Sequence, residues 1–251
     1  MLKMLPLFSS SKGNSTYIES ENTSLLVDLG VSCKRIVDAL TENKINPASI
    51  EAILITHEHS DHIKGIKVFA NKYSIPVFAT EKTWTKLDSL EISESYKNTF
   101  TPDKDFTIGD ITVSPFSTPH DAIDPCGFSF YKGKDKVTIA TDLGHINDYL
   151  LSKMIESNKI LLESNHDIDM LRTGPYPWQL KQRILGNFGH LSNALTAKTV
   201  EYLIKNGTKD FVLGHLSEEN NFPELALETV RSRLKMQDIN ISDISLSVAK
   251  P

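Results

Sequence analysis

Short runs of Val, Ile, Leu and Phe, each closed by Gly, Asn, Asp or Ser, recur along the chain. They predict strands at residues 3–8, 16–19, 24–28, 52–56, 77–79, 106–108, 111–115, 127–131, 137–141, 160–163, 211–214 and 244–248. Apolar positions at helical spacing predict helices over 33–42, 63–73, 80–87, 147–155, 178–185, 192–205 and 223–236. The helix from Ser192 is the best framed, with Ser192 or Asn193 as cap, Lys205 in the last turn and Gly207 beyond. Gly109-Asp110 and Gly133-Lys134 separate paired runs as hairpin turns, so part of the sheet is antiparallel. Hairpins and helices interleave in both halves of the chain, and no GxGxxG turn follows the first strand. An α/β layered sandwich therefore fits better than a parallel dinucleotide-binding sheet.

Composition narrows the class. The 251 residues are 39% hydrophobic and 24% charged, a recipe for one folded domain over 1–251. The formal net charge of −5 means that a polyanion would have to be met by a local patch, not by the field of the whole molecule. No apolar run reaches the roughly 18 residues of a membrane span, and the stretch Leu5 to Phe8 is too short for a secretory leader. A cytoplasmic protein with no membrane partner is expected. Cys33 and Cys126 form no C-x-x-C and read as free thiols with no disulfide partner.

All eight histidines, at 57, 59, 62, 120, 145, 166, 190 and 215, fall at predicted strand ends or in loops before helices. Scaffolds present chemistry at such ends, which favours one shared site over eight unrelated positions. The densest cluster is Thr56-His57-Glu58-His59-Ser60-Asp61-His62, directly after an apolar strand. In extended backbone residues i and i+2 share a side, so His57 and His59 can aim two imidazoles at one cation. The chain then turns into a helix, carrying Asp61 and His62 to the other side, where they can hold a second cation roughly 3.5–4 Å away. H-E-x-x-H, G-x-S-x-G and P-loop patterns are absent, because position 61 is Asp and no such glycine framework occurs.

HxHxDH after a buried strand resembles the metallo-β-lactamase-fold hydrolases, and the resemblance extends over nearly the whole chain. It implies a four-layer αββα sandwich with a dinuclear site between its two sheets, and no inserted β-CASP domain. Thr118-Pro119-His120-Asp121 resembles the third motif of that family, which makes His120 a ligand beside His57 and His59. Thr141-Asp142-Leu143-Gly144 resembles the fourth, with Asp142 as the carboxylate bridging both metals. Leu213-Gly214-His215-Leu216-Ser217 resembles the fifth and completes the second set, Asp61, His62 and His215. Two divalent ions, Zn²⁺ or Mn²⁺, suit donors that are all N and O.

The segments Glu163-Ser164-Asn165-His166-Asp167, Pro175-Tyr176-Pro177 with Leu180-Lys181-Gln182-Arg183-Ile184, and Gly189-His190-Leu191-Ser192-Asn193 resemble the YycJ/WalJ subfamily. The Ser9–Ser15 loop adds to the likeness, and the layout with Glu163 at a strand end is shared with ribonuclease Z. The implied activity is metal-dependent DNA cleavage, a 5′ exonuclease on duplex ends in which water activated by the cation pair attacks phosphorus. A glyoxalase II-like esterase or thioesterase, or an RNA-processing nuclease, on the same metals is the alternative. Asp61 would steer the nucleophile's proton. His190, placed at the N-terminus of the Ser192 helix, would protonate the leaving oxygen. Arg172, Lys181 and Arg183 are candidates for flanking phosphates, and Asn14 for a donor beside the metals. Asp28, Glu163, His166 and Asp167 are candidates to orient ligands or His190. Tyr176 and Trp178 are expected to pack into the core, with stacking on a terminal base as the other reading.

Overall fold

A computed structural model describes residues 1–251, the Ser89 side chain excepted. In the first half β1 (Lys3–Ser10), β2 (Gly13–Glu19) and β3 (Ser24–Val27) run antiparallel to one another. Helix α1 (Cys33–Glu42) then leads to β4 (Ala52–Leu54), α2 (Ser60–Ile63) and α3 (Ile66–Tyr73) to β5 (Val77–Thr80), and α4 (Glu81–Leu87) to β6 (Lys97–Phe100). The strands from β3 to β6 pair parallel, as helical crossovers require. The second half repeats the plan. Strands β7 (Phe106–Ile108), β8 (Ile111–Ser117), β9 (Cys126–Lys132) and β10 (Asp135–Ala140) are antiparallel. Then α5 (Asp148–Met154) leads to β11 (Lys159–Glu163). Helices α6 (Ile168–Thr173), α7 (Trp178–Leu185) and α8 (Asn193–Lys205) precede β12 (Asp210–Gly214), and α9 (Pro223–Met236) precedes β13 (Ser245–Val248). Sheet order is β1 to β6 in one sheet and β13 back to β7 in the other.

Four layers follow from the period-two alternation of strands that are apolar on both faces. In the first sheet Leu26 and Ile53 turn outward and pack with Ile36 and Leu40 of α1, Phe69 of α3 and Trp84 of α4. Their neighbours Leu25, Val27, Ala52 and Leu54 turn inward and meet Phe128, Phe130, Ile139, Leu161 and Val212 of the second sheet. On the far side Ile160, Leu162, Phe211 and Leu213 pack against Leu150 of α5, Val200 and Leu203 of α8, and Val230 and Leu234 of α9. The expected αββα sandwich is what these contacts build.

Some local expectations change. The segment read as a Ser9–Ser15 loop is the end of a β-hairpin, in which Ser10 pairs with Gly13. The helix expected over 63–73 is broken at Gly65, whose amide donates to the Leu29 carbonyl at 2.7 Å. A Cβ there would lie 2.4 Å from the Val31 carbonyl oxygen, so the chain packs backbone to backbone at that point. Strand β6, with sequence Lys97-Asn98-Thr99-Phe100, and the six-residue α6 are additional to the expected elements.

Candidate metal centre

The candidate residues leave the scaffold at one edge of the sandwich, where strands end and the chain must turn at once. Asp28 follows β3, Asp142 lies two residues past β10, and His215 follows β12; all three are left-handed, with φ of 58°, 60° and 56°. Non-glycine residues in this region are strained and persist where the surroundings fix them. The turn at each strand end redirects the side chain to the gap between the sheets. After β4 the chain bends at Thr56 and Glu58, and His59, itself extended, acts as cap of α2, which carries Asp61 and His62. Gly30 lets this segment close in: a Cβ on it would fall 1.6 Å from the Asp61 carbonyl oxygen.

Donor atoms of His57, His59 and His120 converge within 4.8 Å of one another, and so do those of Asp61, His62 and His215. Asp142 lies between the sets, with Oδ2 3.5 Å from His62 Nε2 and Oδ1 3.4 Å from His215 Nε2 and 3.7 Å from His120 Nε2. Asp61 Oδ2 is 3.4 Å from His62 Nε2 and 3.5 Å from His215 Nε2. Donors about 2.1 Å from a tetrahedral cation are about 3.4 Å from each other. The spacing is thus that of ligands around an ion. His57 Nε2, His215 Nε2 and Asp142 Oδ2 are buried with no hydrogen-bond partner among the described residues, which would be costly unless a cation satisfied them. The donor set fits divalent metal ions.

The opposite ring nitrogens are held from behind. His120 Nδ1 lies 3.0 Å from the Gly189 carbonyl, His62 Nδ1 2.8 Å from Asp28 Oδ2, and His215 Nδ1 3.0 Å from Glu163 Oε1. Each of these partners only accepts, so Nδ1 carries the proton and Nε2 presents its lone pair to the site. Thr56 Oγ1 donates to Asp28 Oδ2 at 2.8 Å and stands 3.0 Å from His57 Nδ1, which extends the same support to His57. Burial opposes charge on His62, but Asp142, Asp28 and Asp61 outweigh it and hold its pKa well above the usual imidazole value. Burial opposes a charged His215 too, yet Asp142, Asp61 and Glu163 push it up to about 10. Asp142 and Glu163 shift the other way. Burial would raise both, but the surrounding imidazoles hold Asp142 well below the carboxylate range and bring Glu163 to about 2. Burial also lowers His57 and His120.

Glu163 is the most connected of the orienting candidates. Its Oε1 is 2.7 Å from His190 Nδ1 and 3.0 Å from His215 Nδ1, and its Oε2 accepts from the amides of Leu143 and Leu191. His190 therefore owes its orientation to this carboxylate and not to a helix N-terminus. Helix α8 starts three residues later and is capped by the Ser192 hydroxyl, which accepts from Leu195. Asn14 lies where expected, its amide nitrogen 3.2 Å from His62 Nε2 and 3.4 Å from Asp61 Oδ2.

A cavity of about 270 Å³ opens over these donors, lined by Asp61, Asp142, His190 and His215 and also by Tyr176, Leu180 and Arg183. Arg183 is the one expected phosphate-binding side chain that reaches it, and Asp121 already grips its guanidinium through two hydrogen bonds. Lys181 is corrected: the side chain is buried and its amine donates to the Arg172 and Gly174 carbonyls at 2.7 Å each, so it closes a turn and offers nothing to a phosphate. Arg172 stands outside the cavity lining, exposed at the end of α6. Asp167 caps α6, accepting from Asp169 and Met170, and does not orient His190. His166 is buried with both ring nitrogens unpartnered among the described residues, and burial lowers it to about 4. Trp178, expected in the core, is 64% exposed, whereas Tyr176 is half-buried on the cavity wall. Sequence reasoning passed over the Asp121 clamp on Arg183, although Asp121 directly follows the singled-out His120.

Comparison with known proteins agrees with this geometry. Residues 11–215 match the metallo-beta-lactamase superfamily. The chain is 41% identical over 239 residues to "Exodeoxyribonuclease WalJ" of Streptococcus pneumoniae serotype 2 (strain D39 / NCTC 7466), covering 94% of this chain and 89% of that protein. It is 38% identical over 239 residues to "Exodeoxyribonuclease YycJ" of Bacillus anthracis, covering 94% and 90%. Among solved structures, the metallo-beta-lactamase fold protein YhfI of Bacillus subtilis superposes with a TM-score of 0.72 at 16% identity, covering 99% of this chain and 96% of that one, a likeness of fold. Fold, donor geometry and extended sequence identity together place the chain in the metallo-beta-lactamase superfamily and, within it, in the WalJ/YycJ family.

Proposed function

We propose that this protein is a metal-dependent DNA exonuclease in which His57, His59 and His120 hold one divalent cation, Asp61, His62 and His215 a second, and Asp142 reaches both. The observation that carries the reading is the pair of donor sets on either side of Asp142, in a chain whose relatives over 94% of its length bear the name exodeoxyribonuclease. Donors of N and O only suit Zn²⁺ or Mn²⁺. When bound, such ions lower the pKa of water and neutralise charge developing on the phosphoryl oxygens.

The chain's own groups complete the chemistry. Asp61 Oδ1 accepts no hydrogen bond among the described residues, which leaves it free to accept one from the attacking water and steer its proton. His190, fixed through Nδ1 by Glu163, turns Nε2 to the cavity, where it hands a proton to the leaving oxygen. Arg183, held flat by Asp121, faces an adjacent phosphate. The two halves of the chain share one inter-sheet core, which supports reading 1–251 as a single domain. Action on DNA supports the reading of a cytoplasmic protein.

Protein loaded with Mn²⁺ or Zn²⁺ is assayed on end-labelled DNA, on RNA of the same sequence and on a small thioester, beside Asp142→Ala. DNA cleavage that Asp142→Ala abolishes supports the reading. Turnover of the thioester with no cleavage of DNA would sink it.

A further inference from the structure

Helix α7 and the residue pair before it give the cavity a wall unlike the rest. Leu180, Arg183 and Ile184 follow the i, i+3, i+4 spacing of one face of α7, Tyr176 stands just before its Pro177 cap, and all four line the cavity. Three of them are apolar. The same cavity is lined by Asp61, Asp142, His190 and His215, all of them polar. A ligand bearing only a phosphate would meet Arg183 there and gain nothing from the three apolar side chains. A nucleotide has one face of each kind, a charged phosphate and a flat base.

We propose that Tyr176, together with Leu180 and Ile184, is the surface on which the terminal base of the DNA rests while its phosphate meets the Asp and His side chains of the same cavity. The inference depends on the nuclease reading and adds to it how the substrate's end is recognised. Size agrees. About 270 Å³ lies just under the usual range of single-ligand pockets, a size that suits one base better than a base pair. The backbone also agrees. Tyr176 sits between Pro175 and Pro177, which fix their own φ and hold the residues before them extended, so the ring is set before substrate arrives and loses little freedom on binding. Its hydroxyl makes no hydrogen bond among the described residues, so the ring offers its apolar face without a polar tether. Stacking on a π-face tolerates any base, as an enzyme that shortens arbitrary ends requires.

The test compares wild type, Tyr176→Phe and Tyr176→Ala on end-labelled duplexes whose terminal nucleotide either carries its base or is abasic. Melting temperature and bound metal are measured for each variant. Wild type is expected to favour the base-bearing end by roughly tenfold in kcat/KM, mostly through KM, the size of a base–aromatic stack. Tyr176→Phe keeps that preference. Tyr176→Ala loses it, cutting both ends at the wild-type abasic rate. Equal wild-type rates on the two ends would overturn the inference, and so would a Tyr176→Ala variant slowed alike on both, which marks a structural role. Wild type that cuts neither end would overturn the nuclease reading instead.

Discussion

Glu163 ties two functions together through one oxygen, which makes its removal distinguishable from the loss of either partner. His190→Ala should lower kcat by about 10²–10⁴-fold, the range of a lost proton donor, while bound metal stays at the wild-type level. Glu163→Gln removes the charge that orients both His190 and His215, so metal affinity should fall as well, by about 10–100-fold. Equilibrium dialysis beside steady-state kinetics separates the two outcomes. The same rings set a pH dependence. In the metal-free protein His62 is held well above the usual imidazole value and His215 at about 10, so both carry an extra proton at neutral pH that a cation must displace. Metal affinity should therefore rise with pH, and calorimetry in buffers of different ionisation enthalpy should register proton release. In the absence of metal the His215 contribution to stability has the opposite sign. The His215 contribution is full below about 6.5, its unfolded value, and is lost as pH climbs through about 10. The Glu163 contribution is full above its unfolded value of about 4.3 and is lost as pH falls through about 2.

At the scale of elements, much of the site was readable because each donor follows an apolar strand. His57, Asp142, Glu163 and His215 end or follow β4, β10, β11 and β12, whose runs of Ile, Leu and Val are long enough to register. What escaped reading had weak local signals. Strand β6 is a polar edge segment with no alternation, and its partner on β5 was the only guide to it. The inward turn of Lys181 is set by two carbonyls nine and seven residues away, which no helical wheel displays. The exposure of Trp178 follows from its place on α7, one turn from Gln182 and two from Leu185, on the face opposite the cavity stripe. Tight backbone approach is equally invisible in sequence. Gly30→Ala would set a Cβ against the Asp61 carbonyl, pushing α2 away from the turn after β3. Overpacking of this kind costs about 1–3 kcal/mol, so a lower midpoint in thermal melting and weaker metal retention are expected together. A variant with wild-type melting and metal content would show that α2 has room to shift.

Across the whole molecule the charge of −5 and the small cavity pull the same way. Lys181 is turned inward, Lys12 is paired with Glu218 and Arg183 with Asp121, so these three cations do not add up to a basic groove for a long duplex. Engagement at an end follows, and linear duplex DNA should be degraded while a covalently closed circle of the same sequence survives. Comparable loss of both would indicate internal cutting. Every step from fold to reaction passes through the pair of donor sets that share Asp142. The direct measurement is metal stoichiometry by mass spectrometry on protein loaded with Mn²⁺ or Zn²⁺ and desalted, for wild type and Asp142→Ala. Two ions per chain in the wild type and a clear deficit in the variant are expected; one ion or none in the wild type, or full occupancy without the Asp142 carboxylate, would contradict the account.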